Sequence, residues 1–251
     1  MKIAVAIKVV PDDQDIQVAA DGSLDYSKAK NKVSEYDRNA IEAAAQLAAA
    51  AGDSKVYVVT VGGKGIDDSK TKKDILARGA DELFMIADDA AADLDANATA
   101  AALADLVAKV GDVDVIVCGD GSADNYAQQV DVQLAAKLGL PSVNGATKIT
   151  PAAGSLTVVR ALEDAVETVE IPTPCVVAVA PDIAVPRIAG MKDILAAGKK
   201  PMDVSGAASA YTNTLEVVDC KAPEQAARAC EIVDAGDEAT AKIVAAIKAA
   251  L

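Results

Sequence analysis

The residues best placed to do chemistry lie in three short loops: Pro11-Asp12-Asp13, Gly62-Gly63-Lys64-Gly65 and Gly119-Asp120-Gly121-Ser122. Each follows a run of aliphatic residues. Small residues let a ligand approach the backbone closely, and a helix starting beside such a loop presents free N–H groups and about half a positive charge. That combination suits a phosphorylated ligand. Side-chain catalysis has little to work with. The chain contains no histidine and no tryptophan, which excludes a Ser-His-Asp triad, a Cys-His pair, His-ligated zinc or haem and an imidazole proton shuttle. Cys118, Cys175, Cys220 and Cys230 form no C-x-x-C pair, so neither a zinc knuckle nor a redox dithiol is indicated, and all four are expected to pack as small apolar residues. No metal-ligand set is visible. Chemistry here must rest on carboxylates, lysines, a thiol or a bound cofactor.

The motif matches are partial. Gly119-Asp120-Gly121-Ser122-Ala123-Asp124 holds two of the three glycines of G-x-G-x-x-G, with Asp in the third place. It also follows the fourth predicted strand, whereas the dinucleotide fingerprint follows the first. Gly62–Gly65 lacks P-loop spacing. Taken singly, each loop is a tight turn as readily as a phosphate cradle. Their shared position at strand ends favours a nucleotide site, because open α/β sheets bind ligands beyond the carboxyl ends of their strands.

The positioning elements follow from periodicity. Residues 3–10, 55–61, 82–86 and 113–118 are short aliphatic runs without polar alternation, as buried parallel strands require. Helical spacing fills 33–51, with Ser34 as N-cap and Gly52 as stop, then 67–77, 97–110 and about 124–138. Alternation of these elements predicts a doubly wound α/β domain with a parallel sheet. Residues 156–162 and 166–171 are expected to form a β-hairpin, and 175–180 one more strand. Beyond Pro186 the breakers Gly190, Gly198, Pro201, Gly206 and Pro223 predict irregular structure until a helix near 237–251. The expected organisation is a domain over 1–185 and an arm over 186–251 that lies on a partner.

The chain has 251 residues, with 24 Lys+Arg against 38 Asp+Glu, a formal charge of −14. Such acidity repels phosphate backbones and anionic lipid, so neither nucleic acid nor a membrane surface is an expected partner. No signal peptide or membrane-length apolar run is present, and a cytoplasmic location is expected. Lys70, Lys72 and Lys73, beside Asp67, Asp68 and Asp74, form a solvated helix face. Lys192, Lys199 and Lys200 instead flank Met191, Ile194 and Leu195, an apolar tip ringed by cations. A solvated surface and a partner-docking loop both fit that pattern.

These residues together resemble the β-subunit of electron-transfer flavoprotein over nearly the whole chain. The resemblance rests on Val5-Ala6-Ile7-Lys8 with Val10-Pro11-Asp12, and on Gly119-Asp120-Gly121-Ser122-Ala123-Asp124 running through Gln128-Gln129 to Leu138-Gly139-Leu140-Pro141. Val158-Val159-Arg160, Glu163-Asp164, Glu167 and Pro174-Cys175-Val176-Val177-Ala178 match the family's hairpin. Ala165 departs from it, since an acidic residue or Gly is usual there. Val10-Pro11-Asp12-Asp13-Gln14-Asp15-Ile16, Asp21-Gly22-Ser23-Leu24-Asp25 and Tyr36-Asp37 resemble the branch linked to anaerobic carnitine metabolism, nitrogen fixation and enoyl-CoA reductases. Ser34-Glu35 stands where the wider family commonly has Asn-Pro.

The resemblance implies a fold like that of adenine-nucleotide hydrolases and a subunit that binds FAD, or AMP in the same crevice. Carried over, Ala6, Ser34, Tyr36, Asp37 and Val61 line the adenosine end. Gly119, Asp120, Gly121, Ser122, Ala123 and Asp124, with Asn125, Tyr126, Ala127, Gln128, Gln129 and Val130, cradle the phosphates. Met191, Lys192, Ile194, Leu195, Lys199 and Lys200 match the partner-docking loop. The implied role is electron transfer without side-chain catalysis: from NADH, through the FAD of an α-subunit, to an acyl-CoA-dehydrogenase-type enoyl-CoA reductase. Two alternatives are an AMP-binding β-subunit fed by acyl-CoA dehydrogenases, and a non-redox ATP- or AMP-binding stress-type protein.

Overall fold

The computed structural model describes residues 1–224, 230–236 and 238–250. In chain order the strands are β1 (Lys2–Ile7), β2 (Val9–Pro11), β3 (Gln17–Val18), β4 (Leu24–Asp25), β5 (Asn31–Val33), β6 (Lys55–Gly62), β7 (Glu82–Ala87), β8 (Val115–Gly119), β9 (Ser142–Ala152), β10 (Ser155–Ala161), β11 (Val166–Pro172), β12 (Cys175–Val179) and β13 (Met202–Ser205). The helices are α1 (Glu35–Ala51), α2 (Ser69–Ala77), α3 (Ala96–Val110), α4 (Val130–Leu138), α5 (Met191–Ala197) and α6 (Ala239–Ala250).

Nine strands form one mixed sheet in the order β11-β10-β9-β12-β8-β1-β6-β7-β13. The block from β9 to β13 is parallel, while β10 runs antiparallel to both β9 and β11. The chain builds outward from β1 through β6 and β7, then returns to place β8 and β12 on its other side. Strand order therefore reverses between β1 and β8, and the crevice beyond their carboxyl ends is the expected ligand position in such a sheet.

Both faces of the sheet are covered, so the buried parts of its central strands are almost wholly apolar, with Thr60 of β6 the polar exception. Ile3, Val5 and Ile7 pack with Ile41, Leu47, Ile75 and Leu76, the apolar stripes of α1 and α2. Ala4 and Ala6 point the other way, toward a cluster containing Leu103 and Leu106 of α3 and Leu134 of α4. Each fully buried Leu or Ile contributes about 1.5–3 kcal/mol. The stops are local. Gly52 ends α1 with φ 65°, and its N–H donates to Ala48 O. Asp68 caps α2 by accepting from the N–H groups of Lys70 and Thr71.

Three features depart from the sequence expectation. β9 is an additional strand; its buried and exposed residues alternate because it lies next to the hairpin rather than in the doubly covered centre. The helix expected from about 124 begins at Val130. Residues beyond 186 are not simply irregular: α5 forms there, and β13 extends the sheet by pairing with β7. The first compact unit comprises Met1–Gln17 with Asp25–Asp219.

The second unit comprises Val18–Leu24 with Cys220–Leu251. Within it Ser23 bridges antiparallel to Lys221, and Ala222 N–H donates to Gly22 O at 2.9 Å. No residue of α6 is buried, and Ile243, Val244 and Ile247 are all exposed. Cys118 and Cys175 are buried as expected, whereas Cys220 and Cys230 are exposed. Among the described residues no helix is long and apolar enough to cross a membrane.

Candidate functional site

Three separate segments meet beyond the carboxyl ends of β1 and β8: Lys8, the start of α1 and the loop after β8. Asp37, in the first turn of α1, lies under the junction. Its carboxylate accepts the Lys8 backbone N–H at 2.7 Å, the Gly119 N–H and the Ser34 hydroxyl. Burial nevertheless dominates, because an ionised carboxylate loses its hydration there. It pushes the Asp37 pKa up to about 7 against those three donors. Ser34 is the N-cap residue of α1, yet its side chain does not cap the helix. Its Oγ accepts instead from Ala123 N–H at 3.2 Å and so ties the start of α1 to the loop after β8.

Gly119 is required by close approach. A Cβ there would lie 2.7 Å from Asp37 Oδ1 and 3.1 Å from the Tyr36 backbone carbon. At Gly121 a Cβ would meet the Tyr126 ring at 2.3 Å. That ring stands 5.0 Å from Tyr36, tilted by 42°. Lys8 Nζ reaches across to Asp124 Oδ2 at 2.5 Å, linking the end of β1 to the same loop. Burial raises the Asp124 pKa, but hydrogen bonds from Lys8 and Ser122 outweigh it and leave the carboxyl below its usual range.

The loop itself is held in an unusual conformation. Tyr126 and Gln128 have φ of +43° and +53°, the left-handed region, at about 1–3 kcal/mol each. Ser122 O accepts the Tyr126 N–H at 3.1 Å, and Ser122 Oγ donates to Asp124 Oδ1 at 2.6 Å. The Tyr126–Ser122 bond closes one helical-type turn, and the left-handed backbone at Tyr126 and Gln128 interrupts it, so 124–129 does not continue as a helix. The N-terminal N–H groups expected at Asp124 are therefore found at Val130, where α4 begins.

Most residues implied by the resemblance are brought together. Ala6 lies near the end of β1 beside Cys118, and Val61 lies near the end of β6, next to β1. Gly119 through Ala123 carry the contacts just described. Asn125, Ala127 and Gln129 are exposed on the outer part of the loop, and Gln129 precedes α4. Asp120 accepts from Tyr126 OH at 3.3 Å through Oδ2, while Oδ1 is buried with no partner among the described residues. Burial raises its pKa, and also that of Asp131. Both line a cavity of about 280 Å³ that also takes in Gln128 and Asn144.

Three participants carry no sequence signal that singles them out. Lys8 stands only inside an opening motif, Asp131 follows Gln128-Gln129-Val130, and Asn144 lies on β9, the strand that sequence reading does not find. Cys118, beneath the crevice, is no nucleophile: burial, then Asp131 and Asp37, push its thiol pKa up.

Chemically the site offers a ring pair, a hydroxyl, buried carboxyls and glycine-bared backbone. These groups suit an adenosine: rings for stacking, carboxyls and hydroxyls for ribose and amino groups. A phosphate would meet the free N–H groups at the start of α4, since Lys8 is already paired with Asp124. The unpartnered Asp120 Oδ1 and the two positions that admit no Cβ fit a group seated against this backbone.

The electron transfer flavoprotein domain model matches residues 22–210. This chain belongs to the electron transfer flavoprotein family. The match takes in the sheet from β6 to β13, including the 119–130 loop, and stops short of α6. The electron transfer flavoprotein family is associated with flavin-related electron transfer, and its members typically assemble as heterodimers.

The residues expected from the resemblance to dock a partner lie apart from this crevice, on and after α5. Met191, Ile194 and Leu195 are 74 %, 39 % and 67 % exposed, an apolar face with no cover among the described residues. Lys192 and Lys199 are exposed beside them. Lys200 is different: its Nζ donates to Leu76 O at 2.9 Å and Ala80 O at 2.5 Å. It fastens the end of α5 to the end of α2 and is not a free cation.

Proposed function

We propose that this chain is the β-type subunit of an electron transfer flavoprotein, holding FAD through its adenosine half in the β1–β8 crevice. In this reading it takes electrons from NADH and passes them through the FAD of an α-subunit to an acyl-CoA-dehydrogenase-type enoyl-CoA reductase. The observation that carries it is the convergence of Lys8, Ser34, Asp37, Gly119 and Ala123 at the strand-order reversal, from segments far apart in sequence. Bound FAD would supply the hydride and electron chemistry.

The chain's own residues bind and orient. Tyr36 and Tyr126 offer ring faces, Ser34 and Asp37 fix the floor, and Asp120 Oδ1 offers an acceptor that no described residue uses. The α4 N-terminus supplies positive charge for phosphate, and the Lys8–Asp124 pair holds the loop beside it. Membership of the flavoprotein family favours this reading over a non-redox ATP or AMP binder. The uncovered faces of α5 and α6 support a subunit that works in a complex: α5 for the reductase, α6 and the arm for the α-subunit.

The test is a cofactor count. The chain is co-purified with its α-type partner, and FAD and AMP are quantified per heterodimer. Two FAD and no AMP is the expected result. One FAD with one AMP overturns the NADH-linked reading in favour of an acyl-CoA-dehydrogenase acceptor. A colourless monomer that binds ATP overturns the flavoprotein role altogether.

A further inference from the structure

Three of the five arginines of this acidic chain, Arg38, Arg78 and Arg187, line a single cavity of about 400 Å³ together with Glu35 and Asn39. None of the crevice residues lines it. Arg78 is committed along one edge, with Nε and Nη2 on Asp74 at 3.2 and 2.7 Å, and its Nη1 donates to Arg187 O at 3.1 Å. Arg187 holds Glu42 through Nε and Nη2 at 2.6 and 3.1 Å. Its Nη1 lies over Gly79, where a Cβ would approach within 3.1 Å; the bare backbone at φ +110° gives the guanidinium its seat. Arg38 has no such partner. It makes no ion pair with a described residue, and its Nε is buried without a hydrogen bond. Glu35, the one acid on the wall, is drawn off by Lys32 at 2.9 Å.

Three guanidiniums therefore face two matched carboxylates, leaving one uncompensated positive charge and several unused N–H donors. Gathering like charges is unfavourable unless an anion balances them. A cluster serving stability alone would give each arginine its own acid, as Asp74 and Glu42 do for two of them. A carboxylate presents two oxygens in one plane and saturates a single guanidinium fork, whereas forks on α1, after α2 and before α5 suit the tetrahedral oxygens of phosphate.

We propose that this cavity binds a phosphate-class oxyanion, held by Arg38 with the free N–H groups of Arg78 and Arg187. Arg38 is the specific ligand, since the other two also serve structural pairs.

The test is calorimetric titration of the as-purified complex with inorganic pyrophosphate and, separately, malonate. Saturable pyrophosphate binding is expected, tighter than malonate and weakened by salt. Arg38→Gln should lower the affinity at least about tenfold while leaving nucleotide content unchanged. Arg38→Lys should fall between, because it keeps the charge and loses the fork. If Arg38→Gln melts early, the lysine variant carries the test alone. No saturable binding, equal affinity in the Arg38 variants, or malonate binding as tightly as pyrophosphate would each overturn the proposal.

Discussion

The β1–β8 crevice and the surface of α5 handle their exposed chemistry in opposite ways. In the crevice nearly every polar group already has a partner inside the chain: Asp37 takes three donors, Ser34 both donates and accepts, and Lys8 spans to Asp124. Left-handed backbone at Tyr126 and Gln128 holds that arrangement in place before any ligand arrives. On α5 the apolar side chains Met191 and Leu195 touch little of their own chain, and Lys200 and the buried Ala197 fix the helix. Small-ligand sites gain from such preorganisation, whereas a docking helix needs only a firm base and an uncovered face.

The sharpest way to break the contrast is Gly119→Val. Its Cβ would press on Asp37 Oδ1, so we expect destabilisation by about 3 kcal/mol or more and complete loss of bound nucleotide. Thermal melts and nucleotide quantification check both. Leu195→Glu should do the reverse. Stability should stay within about 0.5 kcal/mol, while electron transfer to the proposed reductase partner falls about tenfold or more, as stopped-flow kinetics would show.

Asp37→Asn probes the buried acid. The folded pKa of Asp37, about 7, lies above the ordinary 3.8, so its contribution to stability is full below about pH 4 and is lost as pH rises through about 7. The stability of the wild type minus that of the Asp37→Asn variant should therefore decline across that window, by at most about 1.4 kcal/mol per pH unit. Parallel curves from denaturant melts at each pH would remove the titration from Asp37. Lys8→Met is the mildest. The pair with Asp124 is partly exposed, so the loss in thermal stability should be about 0–1 kcal/mol and vanish in high salt.

Much of this is legible in sequence for physical reasons. Strands covered on both faces must be continuously aliphatic, which is why β1, β6, β7 and β8 and their intervening helices can be placed. The hairpin is legible from two β-rich runs around Glu163-Asp164-Ala165. What escapes depends on contacts distant in sequence. β9 is only half buried, so it shows neither a buried run nor an uninterrupted alternation. The residues 124–129 ahead of α4 have acceptable helical propensity, yet left-handed backbone at Tyr126 and Gln128 interrupts it, beside contacts from Ser34, Lys8 and Tyr36, none of which adjoins them in sequence. Lys200 looks like one cation among three until its two carbonyl acceptors are seen. Asp131 and Asn144 carry no motif; only the strand order brings them to the crevice.

The Tyr36–Tyr126 pair has a practical consequence. With no tryptophan anywhere and only five tyrosines, intrinsic ultraviolet emission comes from very few rings, and two of them face each other across the crevice. Any adenine ring stacking beside them would alter their coupling. The near-ultraviolet circular dichroism and tyrosine fluorescence of the unlabelled protein should therefore change with occupancy through two of its five tyrosines, over a constant signal from Tyr26, Tyr57 and Tyr211.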